Sequence, residues 1–163
     1  MRRVPPNDTT VEMTQLVLPS NTNNLGTAFG GQIAAWVDIC AAVSAQRFSR
    51  MSVVTASMDA LHFLNPVHQG MVVILKSTVN AAWNTSMEVG VRVESEDPLT
   101  GDRTHCCTAY LTFVSIDEHG HTIPLPKLDV PENTLWERRF QEANLRREMR
   151  LKMKEIRRIG GIS

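Results

Sequence analysis

The sequence has no apolar run of membrane length. Its longest, Ile33 to Ala45, is interrupted by Asp38 and falls short of the ~20 residues that cross a bilayer. Membrane insertion is therefore not expected. Net charge is also lacking: 17 Lys and Arg stand against 17 Asp and Glu. Bulk charge thus gives no reason to expect a nucleic-acid partner. No signal-like segment is visible, since Arg2 and Arg3 are followed by Val-Pro-Pro-Asn-Asp and not by an apolar stretch. Cysteine is scarce and odd in number: Cys40, Cys106 and Cys107. They lack metal-ligand spacing and suit free thiols in a reducing, cytoplasmic setting. His62, His68, His105, His119 and His121 are scattered, so no metal site is expected. Internal repeats and low-complexity tracts are absent as well.

What is present is an ordinary globular chain of 163 residues with 42% hydrophobic content. Thr9 to Leu18 alternates like a strand, and Pro19 to Thr27 is a polar loop. Gly30-Gly31 opens an Ala-rich segment, Gln32 to Arg47, which reads as a helix apolar nearly all round. Four strand-like runs follow: Ser52 to Asn65, Met71 to Ala82, Ser86 to Glu96 and Thr104 to Ile116. This order predicts an α+β fold with a mostly antiparallel sheet. A helix apolar on every side needs a second cover beyond that sheet, and a partner subunit is the simplest. Pro124, Pro126 and Pro131 form a stiff linker. Thr134 and Glu137 have the spacing of a capping box for a last, basic helix with an apolar stripe of Leu145, Met149, Met153 and Ile156. The chain divides into a main unit, 1–126, and a linker plus basic helix, 127–163.

Two features carry chemistry. Asp38 sits mid-helix between Val37 and Ile39, where a charge is costly unless paired, and where burial would raise its pKa toward the range of a useful base. A structural carboxylate satisfied by a neighbour is the competing reading. Gly30-Gly31 stands at a helix start, where N–H groups have no internal partner and the backbone can approach a substrate closely. An oxyanion hole can be built that way, although a tight turn also uses Gly-Gly. Gly31 and Asp38 are seven residues apart, or ~10.5 Å along a helix. They cannot reach one carbonyl from one chain, so a shared substrate calls for a dimer.

The run Pro19-Ser-Asn-Thr-Asn23-Asn-Leu-Gly-Thr-Ala-Phe-Gly-Gly31, with Asp38 seven residues on, resembles the signature of hotdog-fold acyl-CoA thioesterases. The similar branch holds bacterial broad-range acyl-CoA hydrolases and the cytosolic brain-type hydrolases of animals. Val54 to Phe63, Pro66, Ser86 to Glu94 and Ala109 to Val114 resemble it in order, so the match spans Pro19 to Pro126. It implies an antiparallel sheet wrapped around a long central helix, with the C-terminal helix as an extension. It also implies hydrolysis of fatty acyl-CoA to fatty acid and CoA. No cofactor is implied, because coenzyme A belongs to substrate and product. The implied assembly is a homodimer as minimal unit, arranged as a trimer of dimers. By the same resemblance Asp38 matches the catalytic acid, Asn23 the active-site Asn and Gly31 the oxyanion N–H. Gly30, Thr55, Thr85 and Ser86 match substrate-binding positions. Many members have His where this chain has Phe29. A non-catalytic acyl-CoA or nucleotide sensor on the same fold is the alternative, but it would be expected to lack Asp38 and to carry a DNA-binding segment. A hydratase of a related branch would want an acid–His pair, and none is seen.

Overall fold

The computed structural model describes residues 1–161. In chain order they form β1 (Arg3–Val4), β2 (Val11–Leu16), α1 (Gly30–Ser49), β3 (Ser52–Met58), β4 (Val72–Ala82), β5 (Ser86–Glu96), β6 (Arg103–Ile116), β7 (Lys127–Leu128) and α2 (Leu135–Ile159). Five strands make one antiparallel sheet in the order β2-β4-β5-β6-β3. β1 and β7 pair separately and in parallel, which ties 127–128 back to the start of the chain. None of the described helices is long and apolar enough to cross a membrane.

The sheet and α1 share one core. Residues Ile33, Trp36, Val37, Cys40, Ala41, Ala45 and Phe48 recur at helical spacing and are buried. They meet Leu75 and Val79 of β4, Met87, Val89, Val91 and Val93 of β5, and Cys107, Ala109, Leu111 and Phe113 of β6. Burying each large aliphatic or aromatic chain is worth roughly 1.5–3 kcal/mol. A polar tie crosses the same interface. Ser77 Oγ donates to the Cys40 carbonyl at 2.9 Å and lies 2.6 Å from Ser44 Oγ. α1 ends at Arg50, which takes a left-handed φ of 58° while its N–H bonds the Gln46 carbonyl at 2.8 Å.

The expected all-round apolar helix is present, but only one side is covered by its own chain. Ala35 and Ile39 lie open, Ile39 at 55% exposure. Beside them runs β3, an edge strand whose residues are mostly exposed, with Phe63 and Leu64 open nearby. β3 is shorter than the run Ser52 to Asn65 suggested. A bulge at Ala56 interrupts its pairing with β6, and after Met58 the chain touches β6 only at intervals, through Asp59 N–H on the Tyr110 carbonyl and Leu64 N–H on the Cys106 carbonyl. The bulge twists the edge and ends regular pairing.

α2 covers the other face of the sheet. The predicted cap is present with a shift. Glu137 N–H reaches Thr134 Oγ1 at 3.4 Å, but the Glu137 carboxylate returns to Asn133 N–H at 2.7 Å and not to Thr134. The helix docks through Trp136, Phe140, Ala143, Arg146 and Arg150, while Leu145, Met149, Met153 and Ile156 face outward. From Leu151 onward every described residue is exposed.

All three cysteines are buried. Burial pushes the Cys107 thiol up to about 11, with neighbouring Cys106 adding to the shift. Burial also raises Cys40, against the opposing Ser77 hydrogen bond and the Arg47 charge. Below such values a thiol carries little of the reactive thiolate. We therefore expect a thiol reagent at pH 8 to leave the native chain unmodified and to titrate all three cysteines after denaturation. A fast-reacting thiol in the native protein would contradict this burial.

Candidate active site

Two clusters lie at different heights of α1. The first is at its N-terminus. The loop before it is folded on Asn23, whose Oδ1 accepts from Leu25 N–H at 2.9 Å and from Thr27 N–H at 3.2 Å. Asn23 Nδ2 donates to Thr27 Oγ1 at 2.9 Å, leaving its second N–H free to reach elsewhere. The turn also brings Phe29 N–H onto the Asn21 carbonyl at 3.0 Å, which sets the entry of the helix. Gln32 and Ile33 N–H both bond the Phe29 carbonyl. Among the described residues, the N–H groups of Gly30 and Gly31 have no acceptor, and the helix dipole favours a developing anion beside them. The two glycines differ. A Cβ on Gly30 would stand 3.2 Å from the Phe63 ring, a tight contact that the ring would have to ease by a small shift. A Cβ on Gly31 would meet nothing within 4 Å. Space in front of Gly31 is open.

The second cluster is two turns further on. Asp38 is half-buried, on the side of α1 left open by the sheet and not inside the core. Thr55 of β3 donates its hydroxyl to Asp38 Oδ1 at 2.7 Å. Oδ2 has no hydrogen-bond partner among the described residues. Thr55, matched by resemblance alone, is thus joined directly to the carboxylate. The short edge strand presents it there.

Thr85 and Ser86 lie elsewhere, at the turn from β4 to β5. The Thr85 carbonyl accepts from Ser115 N–H at 3.0 Å. Ser86 lines a groove of about 920 Å³ between the end of β3 and the outer half of α2, with Ala56, Met58, Trp83, Arg147 and Lys154. The chain therefore joins Asp38 to Thr55 by a hydrogen bond, places Asn23 in the loop that leads into Gly30 and Gly31, and sets Thr85 and Ser86 at the β4–β5 turn, with no hydrogen bond to either cluster among the described residues.

One group escaped sequence reasoning. Glu88 alternates with Met87 and Val89, which puts it with Gly90, Arg92 and Glu94 on the face of β5 opposite the core row. It is 0% exposed, because α2 lies over that row. Its carboxylate accepts from Arg146 Nη2 at 2.7 Å, Arg150 Nη2 at 3.1 Å and Asn80 Nδ2 at 3.2 Å. Arg150 Nη1 also donates to Asp59 at 2.8 Å. Arg146 stacks on the Tyr110 ring at 3.6 Å. Burial works against the Arg146 charge, but its Glu88 hydrogen bonds and the nearby negative charges outweigh that and hold its pKa raised. Gly90 leaves room for this network, since a Cβ there would sit 2.6 Å from Asn80 Nδ2. The sequence itself shows only that Arg146 and Arg150 stand four residues apart and so share one face of α2.

Comparison with known proteins bears on the family and the fold. The profile of the Thioesterase superfamily matches residues 25–101. The uncharacterized acyl-CoA thioester hydrolase YkhA of Bacillus subtilis is 43% identical over 122 residues, covering 75% of this chain and 70% of that one. Acyl-coenzyme A thioesterase 11 of Mus musculus is 38% identical over 154 residues, 94% of this chain but 26% of its own length, so the chain spans about a quarter of that relative. Among solved structures, an apo-hexameric acyl-CoA thioesterase superposes with a TM-score of 0.89 at 37% identity, over 94% of this chain and 98% of that one. The Staphylococcus aureus acyl-CoA hydrolase in complex with butyryl coenzyme A, coenzyme A and coenzyme A disulfide gives 0.88 at 30% identity, over 99% and 97%. Three further structures of that S. aureus enzyme carry alanine in place of one asparagine, one aspartate and one threonine, spaced by 15 and then 17 residues. Asn23, Asp38 and Thr55 have the same spacing, 38 − 23 = 15 and 55 − 38 = 17. A sheet wrapped on one long helix, a carboxylate held by a β3 threonine and these relatives agree: the chain belongs to the thioesterase superfamily.

Proposed function

We propose that this protein hydrolyses fatty acyl-CoA to a free acid and coenzyme A, in the cytoplasm and without a metal or other cofactor. The observation that carries the reading is the Asp38–Thr55 pair set ~10.5 Å along α1 from the open Gly31 N–H. Thr55 fixes Oδ1 and leaves Oδ2 for a water molecule. The thioester carbonyl would rest on Gly31 N–H. Asp38 would take the water's proton as the water attacks, and the tetrahedral centre would expel the CoA thiolate, which takes up that proton. Or Asp38 would attack the carbonyl itself, expelling the thiolate and leaving a mixed anhydride that water then cleaves to the free acid, its proton going to the thiolate. Asn23, with one amide N–H to spare, would orient the water or the carbonyl. The 1–126 unit would hold this site, and 127–163 would brace it.

The two clusters act on one substrate only if they come from two chains. The open side of α1 and the unpaired edge of β3 support a homodimer through that face. A second copy would bury Ile39, Val54 and Phe63 and bring its own Asp38 to face Gly31. The hexameric relative supports a trimer of such dimers, and the uncovered stripe of Leu145, Met149, Met153 and Ile156 supplies an apolar surface for contact between them. Gly30, Thr85 and Ser86 would contact the CoA portion of the substrate.

The direct test follows thiol release from acyl-CoAs of short, medium and long chain with the purified protein. Release above background that saturates with substrate is expected. No release at any chain length would overturn the reading.

A further inference from the structure

We infer that the Glu88–Arg150–Asp59 ion-pair chain is a positioning device for the active site, by which α2 holds the segment Thr55–Phe63 in place. The inference rests on the hydrolase reading above. Docking of α2 does not by itself require Arg150 to reach past Glu88. Arg146 already grips that carboxylate through Nε and Nη2, at 3.2 and 2.7 Å. Trp83 Nε1 adds a hydrogen bond to Asn144 at 2.9 Å. What Arg150 adds is a bridge, with Nη2 on Glu88 at 3.1 Å and Nη1 on Asp59 at 2.8 Å.

Asp59 stands at a sensitive point. Four residues before it is Thr55, the hydrogen-bond partner of Asp38. Four residues after it is Phe63, whose ring packs against Gly30. The 55–63 segment thus touches both clusters of the site. Its own restraints are sparse. The bulge at Ala56 breaks the ladder just after Thr55, the strand is an edge, and beyond Met58 only isolated hydrogen bonds to β6 remain. Segments with few backbone bonds open easily. A charged anchor at its midpoint, itself tied to a fully buried carboxylate, limits that motion. The Arg146 ring stack on Tyr110 reinforces it, because Asp59 N–H bonds the Tyr110 carbonyl at 2.9 Å.

The test compares wild type with Asp59→Ala and Asp59→Asn. Asp59→Ala removes the bridge while leaving the Arg146–Glu88 dock. Displacing a reacting group by a fraction of an ångström to an ångström is costly, so we expect kcat to fall ~10-fold with KM changed less than about two-fold. Light-scattering mass should be unchanged, and amide hydrogen exchange should quicken across 52–64 but not in α1. Asp59→Asn keeps the shape and one acceptor and should lie between; it decides the question if the alanine variant fails to fold. A kcat within about two-fold of wild type with unaltered exchange at 52–64 overturns the device. A fall in melting temperature with no change in kcat overturns it too, since it reduces the bridge to a structural contact. Exchange is read independently of turnover. If wild type hydrolysed nothing, the functional reading would fall while exchange would still judge the brace.

Discussion

Replacing Asp38 with Asn is expected to cost at least ~100-fold in kcat, the usual contribution of a positioned base, with the fold intact. Asparagine keeps the volume and an oxygen for the Thr55 hydroxyl at the Oδ1 position. The side chain is only half-buried and lies outside the core packing of α1, so melting temperature should move little. What is lost is the ability to accept a proton or to attack. Thr55→Ala should cost less, because the carboxylate survives and only its orientation is freed. If Asp38→Asn keeps a near-wild-type rate, Asp38 leaves the mechanism and remains a structural partner of Thr55. The same variant tests whether sites are shared. Inactive Asp38→Asn protein mixed with inactive Asn23→Ala, Gly31→Pro protein should regain activity when subunits exchange. In a mixed dimer one site collects all the damage and the other none. Exchange seen by mass with no return of activity would mean that one chain serves one site.

The sequence was most informative where periodicity was strict. Met87, Val89, Val91 and Val93 alternate, and β5 runs from Ser86 to Glu96 as expected. The α1 and α2 spans were legible from Ala content, caps and glycine stops. The end of β3 was not, because Val53 to Phe63 stays apolar enough for a strand while the bulge at Ala56 and the departure at Asp59 depend on β6. Asp38 was singled out as unusual, but its half-buried setting beside Thr55 was not legible. A helix apolar all round gives no internal sign of which side its own sheet covers. Thr55 is one threonine among several in strands, and only the fold brings it across 17 residues of chain to Asp38. The Glu88 network was hidden for a similar reason. Alternation assigns Glu88 to the outer face of β5, and nothing local says that a helix some sixty residues later will cover it.

That cover leads to the second large effect, on stability. Glu88→Ala is expected to destabilise the chain by about 3 kcal/mol, the lower end for removing one partner of a buried ion pair. The loss arises less from missing attraction than from what remains. Two guanidinium groups would face Asn80 Nδ2 and each other across the space left by the carboxylate, with Asp59 and Glu142 to offset them. Arg146 and Arg150 keep about a fifth of their side chains exposed, at 21% and 22%. They can therefore turn partly to water, which is why the lower end applies. Glu88→Gln retains one acceptor and the side-chain volume but removes the negative charge, so it should lie between. For a chain of this size ~3 kcal/mol corresponds to a melting temperature lower by roughly 6–12 °C, measured at one fixed protein concentration because subunit association shifts the midpoint. Proteolysis gives the local reading. With the lock open, α2 should be cut between Trp136 and Arg150 at arginines that the folded protein protects. A Glu88→Ala protein with the wild-type melting curve and cutting pattern would show that Trp83, Tyr110 and the apolar contacts of Phe140 and Ala143 suffice to hold the helix, and that the buried carboxylate is not what fixes α2 to the sheet.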